Sequence, residues 1–428
     1  MQVHCSIYDL NKDAQMKIKA YYDKGNRRLK KILGRIVPYN TRYKPADVCR
    51  ISLKNQEANN PRELRVHSIY PELKTELQIP EDLYRACSDY WKPRRQVKTD
   101  YMVVEVPDGR IYTDNESSVA VISRYNRVIE NVSLSLVNSK VTEPNLNNIF
   151  EQRYFTVPEK YDGTVFSLLT GGAGINNIGH WFIDVLPRLH LLQQSGLYDK
   201  VDWFLVPSLR YDFQVETLDL LGIPTDKIIE GDKHPHIAAD CIIASTAPRG
   251  NHTLVPKWLC DYIQSAFLPY AEEESDLITP EATCLYISRS DSKLRNVLNE
   301  KELLEKLEPY KFQKVISSKL SIKEKIRLFS KADVVMGATG AGLISMFFCK
   351  PGTKMIELFN EGFVIEPFYD IATKIDLDYE YIICKNNRRV RNANQGQREH
   401  LLVEIDKVTD ILNRMQKVEK VTKQAKVA

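Results

Sequence analysis

An alternation constrains this chain more than anything else in it. Between positions 166 and 359, short apolar runs rich in Val, Ile, Leu and Phe trade places with longer stretches of helical periodicity. Strands are expected at 166–169, 203–206 and 241–244, with helices at 178–194, 213–221 and 256–268. An acidic connection at 268–280, containing two prolines, interrupts the series. It resumes with strands at 284–288, 312–316, 333–337 and 354–359 and helices at 299–307, 321–330 and 343–349. Strands joined through helices run parallel, because the helix carries the chain back across the sheet. The expectation is an α/β chain with two Rossmann-like parallel-sheet domains.

Ahead of this series, short alternating runs at 101–106, 109–112, 119–122 and 132–136 are punctuated by Asp108-Gly109 and Asp114-Asn115, as in β-hairpins. A boundary is expected at 158–163. The resulting division is a basic N-terminal extension (1–99), β-hairpins with an acceptor domain (100–268), a donor domain (269–385) and a basic tail (386–428). In the tail, a helix over 398–423 carries Leu401, Ile405, Val408, Leu412 and Met415 on one face, a stripe suited to docking on the body.

Charge is distributed unevenly. Residues 1–50 carry +8 and residues 385–428 carry +6, so the total of +4 leaves −10 for the stretch between them. An acidic body with basic ends disfavours nucleic acid as partner, and suits an N-terminal segment resting on an anionic membrane surface. Two uncharged stretches, 163–183 and 334–349, are interrupted by glycines and do not read as membrane spans. Met1-Gln-Val-His-Cys5 is followed by acidic and basic residues without an apolar leader, and the eight cysteines are scattered without a CxxC pair. A reducing cytoplasmic setting is the expectation, with no zinc site and no metal.

Two glycine-bearing turns carry the candidate chemistry. Asp333-Val-Val-Met-Gly337-Ala-Thr339-Gly340-Ala341-Gly342-Leu runs from a buried-looking strand into a helix, where free backbone amides suit an anion such as a nucleoside diphosphate. It is neither a Walker loop nor GxGxxG. Arg289 ends the strand before it, with Arg295 just beyond, and a guanidinium there forks onto phosphate oxygens. Asn299 with Glu302 reads as a capping box, and Glu357, closing the last strand, offers an acceptor to a ribose hydroxyl. Earlier, Gly171-Gly-Ala-Gly174-Ile-Asn176-Asn177-Ile-Gly-His180 leads into a helix with His180, Asp184 and Arg188 on one stripe and Pro187 kinking it. Either His180 is a base supported by Asp184, or Asp184 is the base and His180 orients substrate. The competing reading is a plain Asp184–Arg188 surface pair.

Together these segments resemble glycosyltransferase family 61. The residues that carry the resemblance are Asn177-x-x-His180-Trp-x-x-x-Asp184, Ser288-Arg289 with Arg295 and Asn299-Glu300, Ser321-x-x-x-x-Ile-x-Leu-Phe329, Val335-x-Gly337-x-x-Gly340-Ala-Gly342-Leu and Pro351-Gly-Thr-x-x-Ile-Glu357. The resemblance implies a GT-B fold whose two domains face a cleft, and an inverting transfer from a nucleotide diphosphate-sugar without a metal or other cofactor. It implies His180 and Asp184 as catalytic residues and Asn176 and Asn177 at the acceptor. Arg289, Arg295, Thr339, Gly340, Ala341, Gly342 and Glu357 would hold the donor. A glycan or lipid-linked glycan in polysaccharide biosynthesis is the implied acceptor, in the manner of bacterial or viral members. Thr339 and Lys325 depart from the histidine and glutamine usual in relatives. A nucleotide-sugar epimerase and a non-catalytic scaffold of the same fold are the alternatives. Asp376-Leu-Asp378 spells a metal-binding DxD but follows a helix, and is set aside.

Overall fold

The second series of strands folds into one sheet, in the order Phe312–Val315, Cys284–Ile287, Val334–Ala338, Lys354–Asn360, Asp378–Asn386. These five run parallel, and the short strand Leu401–Leu402 closes the edge antiparallel to Asp378–Asn386. The computed structural model describes residues 40–51, 60–114, 117–137, 140–141, 143–171, 174–250, 254–272 and 283–415, besides the isolated positions 25 and 29. Apart from those two positions, the basic segment expected near the N-terminus lies outside the described residues. So do 172–173 of the glycine-rich segment, the acidic connection from 273 to 282, and the final helix beyond 415.

The first series enters a larger, mixed sheet. Its parallel part is His236–Ser245, Glu159–Ser167, Trp203–Val206 and Ile228–Glu230, side by side. Antiparallel strands extend it: Gln96–Pro107 and Arg110–Thr113 both lie against His236–Ser245, and Arg65–Glu76 pairs beyond Gln96–Pro107. Two expectations are corrected here. Asp108-Gly109 is no hairpin turn; it is a jog between two strands that follow the same neighbour, with Asp108 at φ +49°. The expected boundary at 158–163 is instead the beginning of strand Glu159–Ser167, whose exposed first half hid its length. Asp114 does close the hairpin between Arg110–Thr113 and Ser118–Ile122, accepting from the Ser117 and Ser118 amides.

Helices from both series pack into one apolar cluster. Phe182, Phe267 and Phe348 meet with ring centroids 5.4–6.1 Å apart, joining helix Lys257–Phe267 to the turn Ala341–Phe348. Polar contacts accompany them: the Ile322 amide donates to Glu216 Oε2 at 2.5 Å and Gln264 Nε2 donates to the Phe347 carbonyl at 3.2 Å. Residues 77–83, assigned in the sequence to an extension, pack Leu77, Ile79 and Leu83 with Phe359 and Val364, and Asp82 accepts from Tyr381. The tail helix spans 405–415 and docks Val408, Ile411 and Leu412 under the second sheet, as its stripe foretold. Leu401, counted in that stripe, belongs to the edge strand instead. Among the described residues no helix is long and apolar enough to cross a membrane.

Helix Ile322–Ser330 shows how sequence sets an element that supports the site. Ser321 accepts from the Glu324 amide at 3.2 Å and Glu324 Oε2 accepts from the Ser321 amide at 2.7 Å, so two otherwise unpaired helix-start donors are satisfied. Its buried face of Ile322, Ile326 and Phe329 lies against Ala341–Phe348. Ser321→Ala should lower unfolding free energy by about 1 kcal/mol, read as a shift in urea midpoint with the slope unchanged.

Candidate functional site

The chain leaves strand Glu159–Ser167 at its carboxyl end and enters a helix at Ile178. Asn177, in extended conformation, caps that helix: its side-chain oxygen accepts from the Gly179 amide at 2.9 Å and the His180 amide at 3.3 Å. This gives Asn177 a structural duty at the place where an acceptor contact was expected, while Asn176 beside it is exposed. The helix then widens. Leu186 bonds five residues back to the Trp181 carbonyl at 3.0 Å, and Pro187, with no N–H, ends the ladder before Arg188–Gln194 resumes it. Trp181, Phe182, Val185 and Leu186 anchor one side in the core, leaving His180 and Asp184 on the other.

His180 Nδ1 lies 2.7 Å from Asp184 Oδ2. The Asp184 carboxylate also receives both arms of Arg249, Nε on Oδ1 at 2.8 Å and Nη2 on Oδ2 at 2.9 Å. Burial pushes the Asp184 pKa up, but Arg249 and His180 outweigh it and hold the carboxyl well below the usual range. The Asp184–Arg188 pair does not form. Arg188 is 5% exposed and turns inward, donating to the Asp184 backbone carbonyl at 3.1 Å and the Ser245 carbonyl at 2.8 Å. Arg249 went unnoticed in the sequence because it stands in a loop with no periodicity. The one available signal was its place, four residues past a parallel strand that ends at Ser245.

The second half of the site forms at the carboxyl ends of Cys284–Ile287 and Val334–Ala338. Arg289 is half-buried, its Nε on the Leu294 carbonyl at 3.1 Å and Nη2 on Ser292 Oγ at 3.0 Å. Its Nη1 lies so close over Gly340 that a methyl group there would stand 1.7 Å away and the guanidinium would have to move. Gly342 has room for a side chain, so close approach within the protein explains only the first glycine. Arg295 adopts a left-handed φ of +55° and reaches the Thr339 carbonyl at 2.8 Å and the Gln397 carbonyl, with its guanidinium 5.2 Å over the Phe363 ring. Burial, then the like charge of Arg289, pulls its pKa down to about 10, so it stays charged at neutral pH. The tight helix Ala341–Phe348 begins here with its first amides free of helical partners.

These two halves meet. A methyl group on Gly179 would lie 3.6 Å from the Ala341 side chain, so the start of the His180 helix abuts the glycine turn. Two expectations need revision. Glu357 is not at a strand end; it sits within Lys354–Asn360, opposite Gly337 and Tyr381, and is wholly buried. Its Oε2 accepts from Tyr379 at 2.5 Å, while Oε1 has no hydrogen-bond partner among the described residues. Asn299 forms no capping box and instead ties to Val403, accepting from its amide at 3.0 Å and donating to its carbonyl at 2.9 Å. Asp376 and Asp378 lie at the start of their strand, the edge opposite the arginines, where Asp378 pairs with Lys354 at 2.5 Å. Lys325 is buried with Nζ on the Leu320 carbonyl at 2.7 Å, and burial lowers its pKa to about 8.

Burial raises the Glu357 pKa to about 8. A raised carboxyl contributes stability that is fully present below its unfolded value, roughly 4.3, and lost as pH rises through the folded value. Wild type should therefore lose stability relative to Glu357→Gln between about pH 5 and about pH 9, measured as urea midpoints across that range.

No curated protein matches the chain. A family model described as Glycosyltransferase 61 matches residues 178–356, a span that opens on the His180 helix and closes beside Glu357. It encloses the glycine turn at 337–342, Arg289, Arg295 and Arg249, and begins just after the glycines at 171–174. Over residues 178–356 the chain is thus similar to glycosyltransferase family 61.

Proposed function

We propose that the chain is a glycosyltransferase that moves a sugar, with inversion, from a nucleotide diphosphate-sugar to a hydroxyl of a glycan or lipid-linked glycan. The two sheets would act as the halves of a GT-B fold, with the site where their strand ends converge. The observation that carries this reading is the contact of Gly179 with Ala341, which sets a histidine–aspartate pair beside two arginines and a free amide turn. Arg289, Arg295 and the amides of Ala341 and Gly342 would take the diphosphate, with Thr339 and Gly340 shaping the turn. Their fixed positive charge stabilises the charge that grows on the leaving group. His180 and Asp184 would handle the proton of the attacking hydroxyl, on the side of Asn176. The buried Glu357 would act beneath this surface, as support for the turn. The basic ends would hold the enzyme at the inner, anionic face of a membrane.

Calorimetry with a panel of nucleoside diphosphates, followed by transfer assays with the matching sugars, tests the reading. A charge-assisted hydrogen bond contributes about 1.5–3 kcal/mol, so Arg289→Ala should weaken the bound diphosphate by roughly 10- to 100-fold. His180→Ala should lower kcat by about 10²- to 10⁴-fold with diphosphate affinity kept. Wild-type turnover in His180→Ala, or no affinity for any nucleoside diphosphate, would sink the proposal. Conversion of the sugar without an acceptor would point to epimerisation.

A further inference from the structure

Resting on that reading, we infer that Arg249 is a positioning residue that withdraws Asp184 from the role of base and leaves His180 Nε2 as the atom that takes the acceptor's proton. Both Asp184 oxygens are engaged: Oδ1 by Arg249 Nε, Oδ2 by Arg249 Nη2 and His180 Nδ1, all within 2.7–2.9 Å. A carboxylate clamped by a guanidinium fork has little proton affinity left. The ring beside it is placed differently. Its side chain is 40% exposed, and among the described residues Nε2 has no hydrogen-bond partner. With Nδ1–H donated to Asp184, the Nε2 lone pair faces outward.

Arg249 does more than orient. Paired with the guanidinium, the Asp184 carboxylate is one half of a neutral ion pair and still accepts from Nδ1. In the transfer step Nε2 takes the hydroxyl proton as the acceptor oxygen bonds to the anomeric carbon. The bond from that carbon to the diphosphate oxygen breaks, and its electron pair leaves with the diphosphate. Arg249 is itself held from both sheets. Tyr101 donates to the Pro248 carbonyl at 3.1 Å on one side, and the charges of Glu366 and Asp370 bear on the guanidinium from the other. Arg188 lies on the Asp184 carbonyl, and Lys374 neutralises Asp370.

The test is spectroscopic and uses no donor sugar. In the full-length chain with ¹⁵N-labelled histidine, the His180 ring is assigned by its loss in His180→Gln. At about pH 7.5 wild type should show one protonated nitrogen, Nδ1, and one bare nitrogen, Nε2. Arg249→Gln keeps a hydrogen-bond donor without the charge and should show both nitrogens protonated; Arg249→Lys should restore the wild-type pattern. A wild-type ring protonated at Nε2, or an unchanged spectrum in Arg249→Gln, overturns the inference. The wild-type spectrum alone can do so, even if Arg249→Gln fails to fold. Once a donor is found, Arg249→Gln should lose about 10²-fold or more in kcat with donor KM unchanged. A correct spectrum without sugar transfer would instead count against the transferase reading.

Discussion

The site depends on one close approach. Gly179 and Ala341 are small enough for the first turn of one helix to touch the first turn of another, each at the carboxyl end of its own parallel sheet. A larger residue at 179 would meet the Asn177 side chain as well as Ala341, disturbing the cap that starts the His180 helix. Parallel strands place such helix starts on one edge of each sheet; small residues decide whether two edges can meet. The aromatic contact of Phe182, Phe267 and Phe348 lies directly behind and fixes the approach from the core side.

Burying Asp184 makes sense only with Arg249 present. A carboxylate 15% exposed would be strongly disfavoured unpaired, and a guanidinium 12% exposed equally so. Each removes the cost of the other, and the pair adds geometry that a flexible surface salt bridge would lack. Further along, the Val255 amide donates to Asp370 at 2.8 Å, on helix Pro367–Lys374.

Much of this was legible in the sequence. Parallel strands at 284–287, 312–315, 334–338 and 354–360 follow from short apolar runs separated by helices, and these bounds differ from expectation by a residue or so. His180 with Asp184 followed from spacing of four, and Arg289 from its place at a strand end. What escaped had no local signature. Arg249 acts across 65 positions of sequence, and no periodicity marks a loop residue. Glu357 reads as the close of its strand because a carboxylate interrupts the apolar run, whereas the strand continues through apolar Leu358 and Phe359 to Asn360. The jog at Asp108-Gly109 carries hairpin residues, yet pairing was decided by His236–Ser245, far along the chain.

Strand direction also sorts the charge of the second sheet. At the edge where its strands begin, acids and lysines neutralise one another: Lys350 with Asp333 at 2.7 Å, and Lys354 with Asp378 at 2.5 Å. At the opposite edge, among the described residues, Arg289 and Arg295 form no ion pair and bond only to carbonyls and a hydroxyl. Carbonyl oxygens orient a guanidinium without cancelling its charge, and the two arginines lie near enough for Arg289 to lower the pKa of Arg295. Holding two like charges together half-buried is costly unless an anion joins them. In the proposed reaction that anion is the diphosphate, bound as substrate and more highly charged as leaving group. The positive charge of the two arginines would thus count for more as the transfer proceeds.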